Sequence, residues 1–345
     1  MVCIRARIQY CSLDVTSFGP ETTYNEGIMV SDDGDDMTVG IGVLCEGAEC
    51  IIVASDMRVT YHGMGVNPHD RAGKQYGFEP FNLCAAIAGS TSSTHAIISE
   101  LSQNLRNLIK AKLKQPKRHV FLEHIRDCLE DSRKKELRRI QACEMSSQLG
   151  CELHDWLAGK LPTGEPFNDR AHREGMRILA GVRKEFRSKV GIIVAGFLKS
   201  GPVFLRGLGF EPVEDAASPA VYVIGGTGAV EAMRVLIERQ QNVEMGIARS
   251  LLHVYEALRA AKIDKGVGDA ASYVVMRPLT ARLPNGMLRF LPDHPLLKQW
   301  SKMYRLRDTS PLDSRTANDL IDLGFNAERV KNSELLGPAE LIGEL

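Results

Sequence analysis

Thr38 is the residue whose type and position could carry covalent catalysis. It follows a methionine. The stretch before it has no periodicity and ends in an aspartate-rich run at 31–36, and the stretch from 38 to 44 alternates in apolar residues like a strand. A threonine at the free amino terminus of a strand can be nucleophile and base at once, because its hydroxyl attacks and its own α-amino group takes the proton. An ordinary internal strand threonine is the alternative, and a lone Met-Thr pair would favour it.

Composition and charge exclude several classes of function. The 345 residues carry 43 basic and 43 acidic side chains, so the zero net charge gives no reason to expect a nucleic-acid partner. Apolar runs stay below the ~18 residues of a membrane span, and the first residues lack the apolar core of a secretion signal. We therefore expect a cytoplasmic protein with no membrane partner.

Cysteines and histidines give no pattern of a disulfide framework or a metal site. The eight cysteines form no Cys-x-x-Cys pair, and Cys45, Cys50 and Cys84 lie in apolar strand-like runs. A reduced cysteine in such a run behaves as a small apolar side chain, which favours a reducing compartment. The nine histidines show no His-x-x-x-His or His-Glu-x-x-His spacing. We therefore expect no catalytic metal and no cofactor.

Apolar spacing along the chain predicts alternating groups of strands and helices. Short alternating or apolar runs predict strands at 38–44, 50–56, 73–78, 82–88, 190–197, 203–206, 220–224 and 272–276. Helical spacing predicts a helix that opens at 89–94 and is broken by Pro116, and further helices over 120–160, 169–189, 230–239 and 244–262. This order predicts sheet layers between helix layers, an α+β fold. After 278 the spacing becomes irregular, with one helix predicted near 318–330.

The order and spacing of these segments resemble the proteasome-type amino-terminal-nucleophile (Ntn) hydrolases, which include 20S proteasome β subunits and bacterial threonine peptidases. The motifs that carry the resemblance are Met-Thr-Val-Gly-Ile-Gly-Val at 37–43, Ile-Ile-Val-Ala-Ser-Asp-Met-Arg at 51–58, Gly-Lys at 73–74, Ala-Ile-Ala-Gly-Ser at 86–90, Val-Ala-Gly-Phe at 194–197, Ile-Gly-Gly-Thr-Gly at 224–228, and Asp264 with Gly268. The resemblance covers 38–278 and implies a four-layer αββα Ntn-hydrolase sandwich with a helical insertion at about 115–189. It also implies a leader at 1–37, either a propeptide or a mis-assigned start, and a C-terminal extension at 279–345.

The resemblance gives a catalytic role to four residues in the first part of the chain. Thr38 would be the nucleophile with its α-amino group as the base, Lys74 the active-site lysine, and Asp56 the carboxylate that pairs with this lysine. The amine must be neutral to accept a proton, and a nearby cation helps to keep it so. Gly89 would supply the backbone N–H of the oxyanion hole. For Asp56 and Lys74, an ordinary surface pair worth ~0–1 kcal/mol is the alternative.

Two further site residues lie in the last third of the matched region. Thr227 stands where the family places a serine that hydrogen-bonds the threonine amine, and it keeps a hydroxyl there. Asp264 fits the supporting aspartate, but three residues later Val267 replaces the usual serine, which removes one polar support. The glycine-rich run at 225–228 also fits a phosphate loop, although the dinucleotide pattern requires a glycine where Glu231 stands.

The same alignment predicts the substrate pocket. Val59, Ala72, Ile87 and Thr91 would line it, and their small to medium uncharged side chains predict a preference for apolar side chains before the cleaved bond. Placing the nucleophile at Thr38 requires two residues more than the usual family spacing in the connection at 45–49. An even number keeps the inward-facing strand positions inward, and a hairpin loop absorbs such an insertion.

We therefore expect a cytoplasmic threonine-type amide hydrolase, a protease of peptide or protein substrates that assembles into a homo-oligomeric ring. Two alternatives stay open: a non-catalytic proteasome-like structural subunit with a blocked amino terminus, and an Ntn amidase that acts on a small substrate. The insertion is longer than in typical β subunits and could cover the active chamber, contact the ring, dock a partner or be a surface elaboration. The sequence does not determine whether an ATP-dependent unfoldase is a partner.

Overall fold

The computed structural model describes the chain from 39 to 298, with gaps. The described residues are 39–57, 74–78, 81–89, 91–114, 120–160, 166, 168–199, 201–215, 222–226, 228–262, 267, 270–279, 286–291, 294–295 and 297–298. The predicted leader at 1–37 and the helix predicted near 318–330 lie outside these residues.

Helices and strands of the α+β class form in the described part of the chain. The strands are β1 (Val39–Cys45), β2 (Cys50–Asp56), β3 (Gln75–Phe78), β4 (Asn82–Gly89), β5 (Val190–Leu198), β6 (Gly201–Leu208), β7 (Glu214–Asp215), β8 (Tyr222–Gly226), β9 (Ala271–Met276) and β10 (Met287–Phe290). The helices are α1 (Thr91–Lys114), α2 (Leu122–Leu149), α3 (Leu153–Leu157), α4 (Asp169–Lys189), α5 (Ala229–Glu238) and α6 (Ile247–Ala261). None of these described helices is long and apolar enough to cross a membrane. The prediction of an α+β fold is confirmed.

The strands form two antiparallel sheets of five strands each. The first sheet has the order β10-β9-β2-β1-β8, and the second has the order β3-β4-β5-β6-β7. In the first sheet, β1 lies between β2 and β8, with Gly40 opposite Ser55 and Val39 opposite Gly226. A short 3-10 turn, Glu46–Ala48, makes the connection between β1 and β2. This turn is where the two extra residues of the alignment were expected.

The central strands β1, β2, β4, β5 and β9 are buried on both faces, and most of their side chains are apolar. One face of the first sheet packs on α5 and α6, and one face of the second packs on α1, α2 and α4. The remaining faces share a third apolar cluster, which joins β1, β2 and β9 to β4, β5 and β6. At Gly42 a Cβ would lie 2.6 Å from the Phe204 ring. Only glycine allows this close approach of β1 to β6.

Helices α2 and α4 build the insertion predicted at about 115–189. Ile125 and Leu129 of α2 belong to the apolar core of the second sheet. Arg133, also on α2, is buried and donates hydrogen bonds to the carbonyl oxygens of Leu208 at 2.7 Å, Glu211 at 2.8 Å and the intervening glycine. Burial lowers the pKa of this guanidinium to about 10, which leaves it charged at neutral pH. Helix α2 therefore contributes side chains to the core of the second sheet.

Two predicted boundaries differ from the structure. The helix predicted over 120–160 ends at Gly150, which adopts a left-handed conformation with φ of +63°, and the separate helix α3 follows. The sequence predicts an irregular extension after 278, whereas β10 pairs with β9 and buries Phe290 in the core. The apolar spacing after 278 gave no prediction of a strand at 287–290. The predicted domain boundary at 278 therefore stops short of the first sheet's last strand.

Candidate active site

Asp56 and Lys74 form a buried ion pair that links the two sheets. Asp56 is the last residue of β2 in the first sheet, and Lys74 directly precedes β3 in the second. The Lys74 Nζ lies 3.1 Å from Oδ2 and 3.3 Å from Oδ1 of Asp56. Only 8% of the Lys74 side chain and 1% of the Asp56 side chain are exposed. The surface-pair alternative is therefore wrong, because each of these charges depends on its partner in place of water.

The Asp56 carboxylate also contacts the residue that follows Thr38. The backbone N–H of Val39 donates a hydrogen bond of 3.0 Å to Asp56 Oδ1. Val39 is the first described residue of β1, and Thr38 itself lies outside the described residues. One carboxylate thus joins the lysine to the backbone at the start of β1.

The end of β8 and the start of α5 lie beside Val39 as well. Val39 pairs with Gly226, and a Cβ at Gly228 would lie 3.4 Å from the Val39 Cβ and 3.0 Å from the Val267 Cγ2. Val267 is buried in the apolar core that also contains Val39. Val267, where the resemblance expects a serine, therefore places methyl groups beside Gly228 and Val39. The predicted site residues Thr227 and Asp264 lie outside the described residues.

Gly89 occupies a position that a side chain could not share. It is the last residue of β4, it pairs with Val190, and its φ is +93°. A Cβ there would lie 2.1 Å from the carbonyl oxygen of Lys189, at the junction of α4 and β5. The glycine that the resemblance assigns to the oxyanion hole is thus required by the backbone itself.

One predicted pocket residue is described with its side chain. Ile87 lies on β4, is 3% exposed and packs in the apolar cluster shared with α1. Its backbone N–H donates to the carbonyl oxygen of Lys74 at 3.0 Å, which holds the lysine against β4. Thr91 is the first residue of α1, its side chain lies outside the described atoms, and Val59 and Ala72 lie outside the described residues.

Two buried polar residues beside the ion pair, Gln75 and Ser272, were not identified from the sequence. The Gln75 Nε2 donates to the carbonyl oxygens of Val53 at 3.1 Å and Ser272 at 3.0 Å. The Ser272 hydroxyl donates to Gln75 Oε1 at 3.0 Å. A glutamine at the start of a strand is typical of a solvated face, so its type alone could not indicate this contact. The burial of the position would have been the informative clue.

Cysteine chemistry is suppressed in the cores. A hydrogen bond with Cys45 and burial together raise the pKa of the Cys50 thiol well above its usual value. Burial raises the pKa of the Cys84 thiol to about 12. These thiols stay protonated at neutral pH and act as apolar side chains. In the described ranges, no group of three or more histidine, cysteine or acidic side chains is placed to hold a metal ion.

Comparison with models of known protein families and with the sequences of curated proteins found no match to this chain.

Proposed function

We propose that the protein is a threonine-type amide hydrolase of the proteasome-like Ntn class, with Thr38 as nucleophile after removal of the residues before it. The observation that carries this proposal is the buried Asp56–Lys74 pair, whose carboxylate also accepts the N–H of Val39 at 3.0 Å. A buried charge pair is costly to maintain, and here it lies one residue from a threonine that could open a strand. The proposal therefore rests on geometry as well as on the resemblance.

The chemistry would use the α-amino group as the proton carrier. The threonine hydroxyl attacks the amide carbonyl, its proton passes to the neutral amine, and an oxyanion develops that a backbone N–H at Gly89 would stabilise. The amine then returns the proton to the leaving group, and water hydrolyses the acyl ester. The Lys74 cation favours the neutral amine, and Asp56 keeps the lysine charged in its buried position.

The proposed architecture is the four-layer αββα Ntn sandwich. Its support is the order of the apolar clusters, in which helices α5 and α6, the first sheet, the second sheet and helices α1, α2 and α4 follow one another. Such enzymes enclose their sites, so the proposal includes a homo-oligomeric ring, a cytoplasmic location and peptide or protein substrates. The uncharged predicted pocket adds a preference for apolar side chains before the cleaved bond.

A non-catalytic structural subunit is the second candidate, and one observation favours it. Val267 fills the place of a serine with methyl groups next to Gly228, and it is 4% exposed. A terminal amine at this place would have one polar partner fewer. The buried ion pair favours the hydrolase over this candidate, because the proposed chemistry gives the pair a role beside its effect on stability.

Hydrolysis by a form that begins at Thr38 tests the proposal. We expect this form to cleave fluorogenic peptides with an apolar residue before the amide, and Thr38→Ala to abolish cleavage without changing the circular dichroism spectrum. Amino-terminal sequencing of protein expressed from its own gene should find Thr38 first. Normal turnover by purified Thr38→Ala would exclude this nucleophile. A correctly processed protein that cleaves no peptide would favour the structural subunit or an amidase of small substrates, which a panel of small amides separates.

A further inference from the structure

The Gln75 side chain crosses from one sheet to the other directly beside the ion pair. Gln75 begins β3 in the second sheet, and its carboxamide bonds to Val53 on β2 and Ser272 on β9 in the first sheet. It is 4% exposed. The orientation of the amide is determined by its partners, because both groups that contact Nε2 are carbonyls, which only accept, and the group that contacts Oε1 is a hydroxyl.

The residues that this carboxamide contacts belong to β2, which carries Asp56, and to β9, which pairs with β2. Ser272 lies opposite Ser55 in the ladder of β2 with β9, and the next pair is Asp56 with Ala271. Val53 precedes Asp56 on β2 by three positions. We call these hydrogen bonds of the Gln75 side chain to Val53 and Ser272 the clamp. On β9 the clamp ends at Ser272, one residue from the partner of Asp56, and on β2 it ends at Val53, three residues before Asp56.

The backbone of Lys74 is held from several sides. Its carbonyl oxygen accepts the N–H of Ile87 on β4 at 3.0 Å, and the carbonyl oxygen of the next residue, Gln75, accepts Nη2 of Arg289 on β10 at 2.8 Å. Beside the hydrogen bonds of Lys74 Nζ to Asp56, the Gln75 side chain connects the start of β3 to the strands β2 and β9.

We propose that Gln75, held by Ser272, is a positioning residue that sets the distance between the Lys74 ammonium and the Asp56 carboxylate. It touches neither charged group, and it acts by fixing where β3 begins relative to the end of β2. The catalytic part of this inference rests on the proposed function, whereas the effect on the ion pair does not. Without the clamp the lysine would lie further from its carboxylate in a buried place, which disfavours its charged form.

Two measurements separate positioning from simple stabilisation. The titration midpoint of the Lys74 ammonium is followed by NMR with selectively labelled lysine, and Lys74→Arg identifies the resonance. In Gln75→Met, which keeps the length and removes the amide, we expect the midpoint to fall by about one pH unit. Peptide hydrolysis should lose about 10- to 100-fold in kcat with KM unchanged, since a small misplacement near the reacting groups costs rate more than binding. Ser272→Ala should shift both quantities in the same direction by less.

Ser55→Ala is the matched control. Ser55 is also a fully buried serine, directly opposite Ser272, but its hydroxyl has no hydrogen-bond partner among the described residues. This variant should leave the lysine midpoint and kcat unchanged. If Gln75→Met is too unstable to measure, Ser272→Ala against Ser55→Ala gives the same comparison.

The outcomes are distinct. Loss of stability in Gln75→Met or Ser272→Ala, with a lysine midpoint equal to that of Ser55→Ala, would overturn the proposal and leave a structural clamp. A fallen midpoint in a protein whose native form hydrolyses nothing supports positioning and counts against the proposed function alone. A fallen midpoint with reduced kcat supports both.

Discussion

Replacing Asp56 by asparagine tests the meaning of the buried ion pair without assuming any activity. The change keeps the shape of the side chain and an oxygen that can still accept the Val39 N–H, and it removes the charge that faces Lys74. Since 8% of the lysine side chain is exposed, its ammonium would keep little water as a substitute. We expect the free energy of unfolding at pH 7 to fall by about 3 to 4.5 kcal/mol, in the range for other buried pairs that lose one partner.

An upper limit follows from the lysine itself. A Lys74 that faces no carboxylate at position 56 can lose its proton, and the ordinary pKa of a lysine is about 10.4, so this costs about 1.4 kcal/mol per pH unit below that value. The limit is roughly 4.6 kcal/mol at pH 7 and roughly 1.9 kcal/mol at pH 9. If the folded variant holds a neutral lysine, its unfolded chain binds the extra proton, and its stability must rise with pH relative to the native protein.

Urea unfolding at pH 7 and pH 9 measures both effects. Asp56→Asn combined with Lys74→Met should recover most of the loss, because no unpaired charge remains. The pair Arg234–Glu238 on α5 serves as the control, since its atoms approach to 3.6 Å while 62% and 64% of the side chains are exposed. There Glu238→Gln should change stability by about 0.5 kcal/mol or less.

Two results would refute this reasoning. A loss under about 1 kcal/mol for Asp56→Asn at both pH values would mean that the pair contributes no more than a surface pair. A double variant as unstable as the single one would mean that the loss arises elsewhere than in an unpaired lysine.

Three further predictions concern other parts of the molecule. Gly89→Ala should lower the free energy of unfolding by about 3 kcal/mol in urea titrations, because its Cβ would lie 2.1 Å from the Lys189 carbonyl oxygen. Gly47→Ala is the control, since Gly47 also has a positive φ but lies in open space, and it should cost about 1 kcal/mol. Equal losses in the two variants would contradict the clash. Burial lowers the pKa of His253 to about 4, so stability should fall by on the order of 3 kcal/mol from pH 6.5 to pH 4, as the unfolded imidazole takes up a proton that the folded one excludes. The fall should be smaller in His253→Gln, and equal falls would contradict the assignment. Light scattering should give about six chains or more for the form beginning at Thr38, and a monomer at micromolar concentration would contradict the ring.

Much of the fold was accessible from apolar periodicity. The strands at 38–44, 50–56 and 82–88 were predicted to within about one residue at each end, because their alternation or continuous apolar character reflects burial. The contact of Asp56 with Lys74, which the resemblance implied, is present in the structure, while the catalytic role of the pair stays a prediction.

Other features had no local pattern to reveal them. The strand β10 has four residues, and it is a strand because β9 lies beside it. The burial of Arg133 depends on carbonyl groups at the end of β6 and just after it, more than seventy positions away along the chain. Periodicity describes which side of an element is apolar, and it carries no information about which polar groups lie opposite.

The sequence by itself determined which residues are chemically able to act and on which short elements they stand. Only the tertiary structure decided which of them meet. Gln75 and Ser272 are 197 positions apart, yet their hydrogen bonds join the two sheets beside the ion pair. The physical reason is that burial removes water from these polar groups, so each must find its partner in whichever strand the packing of the sheets places across from it.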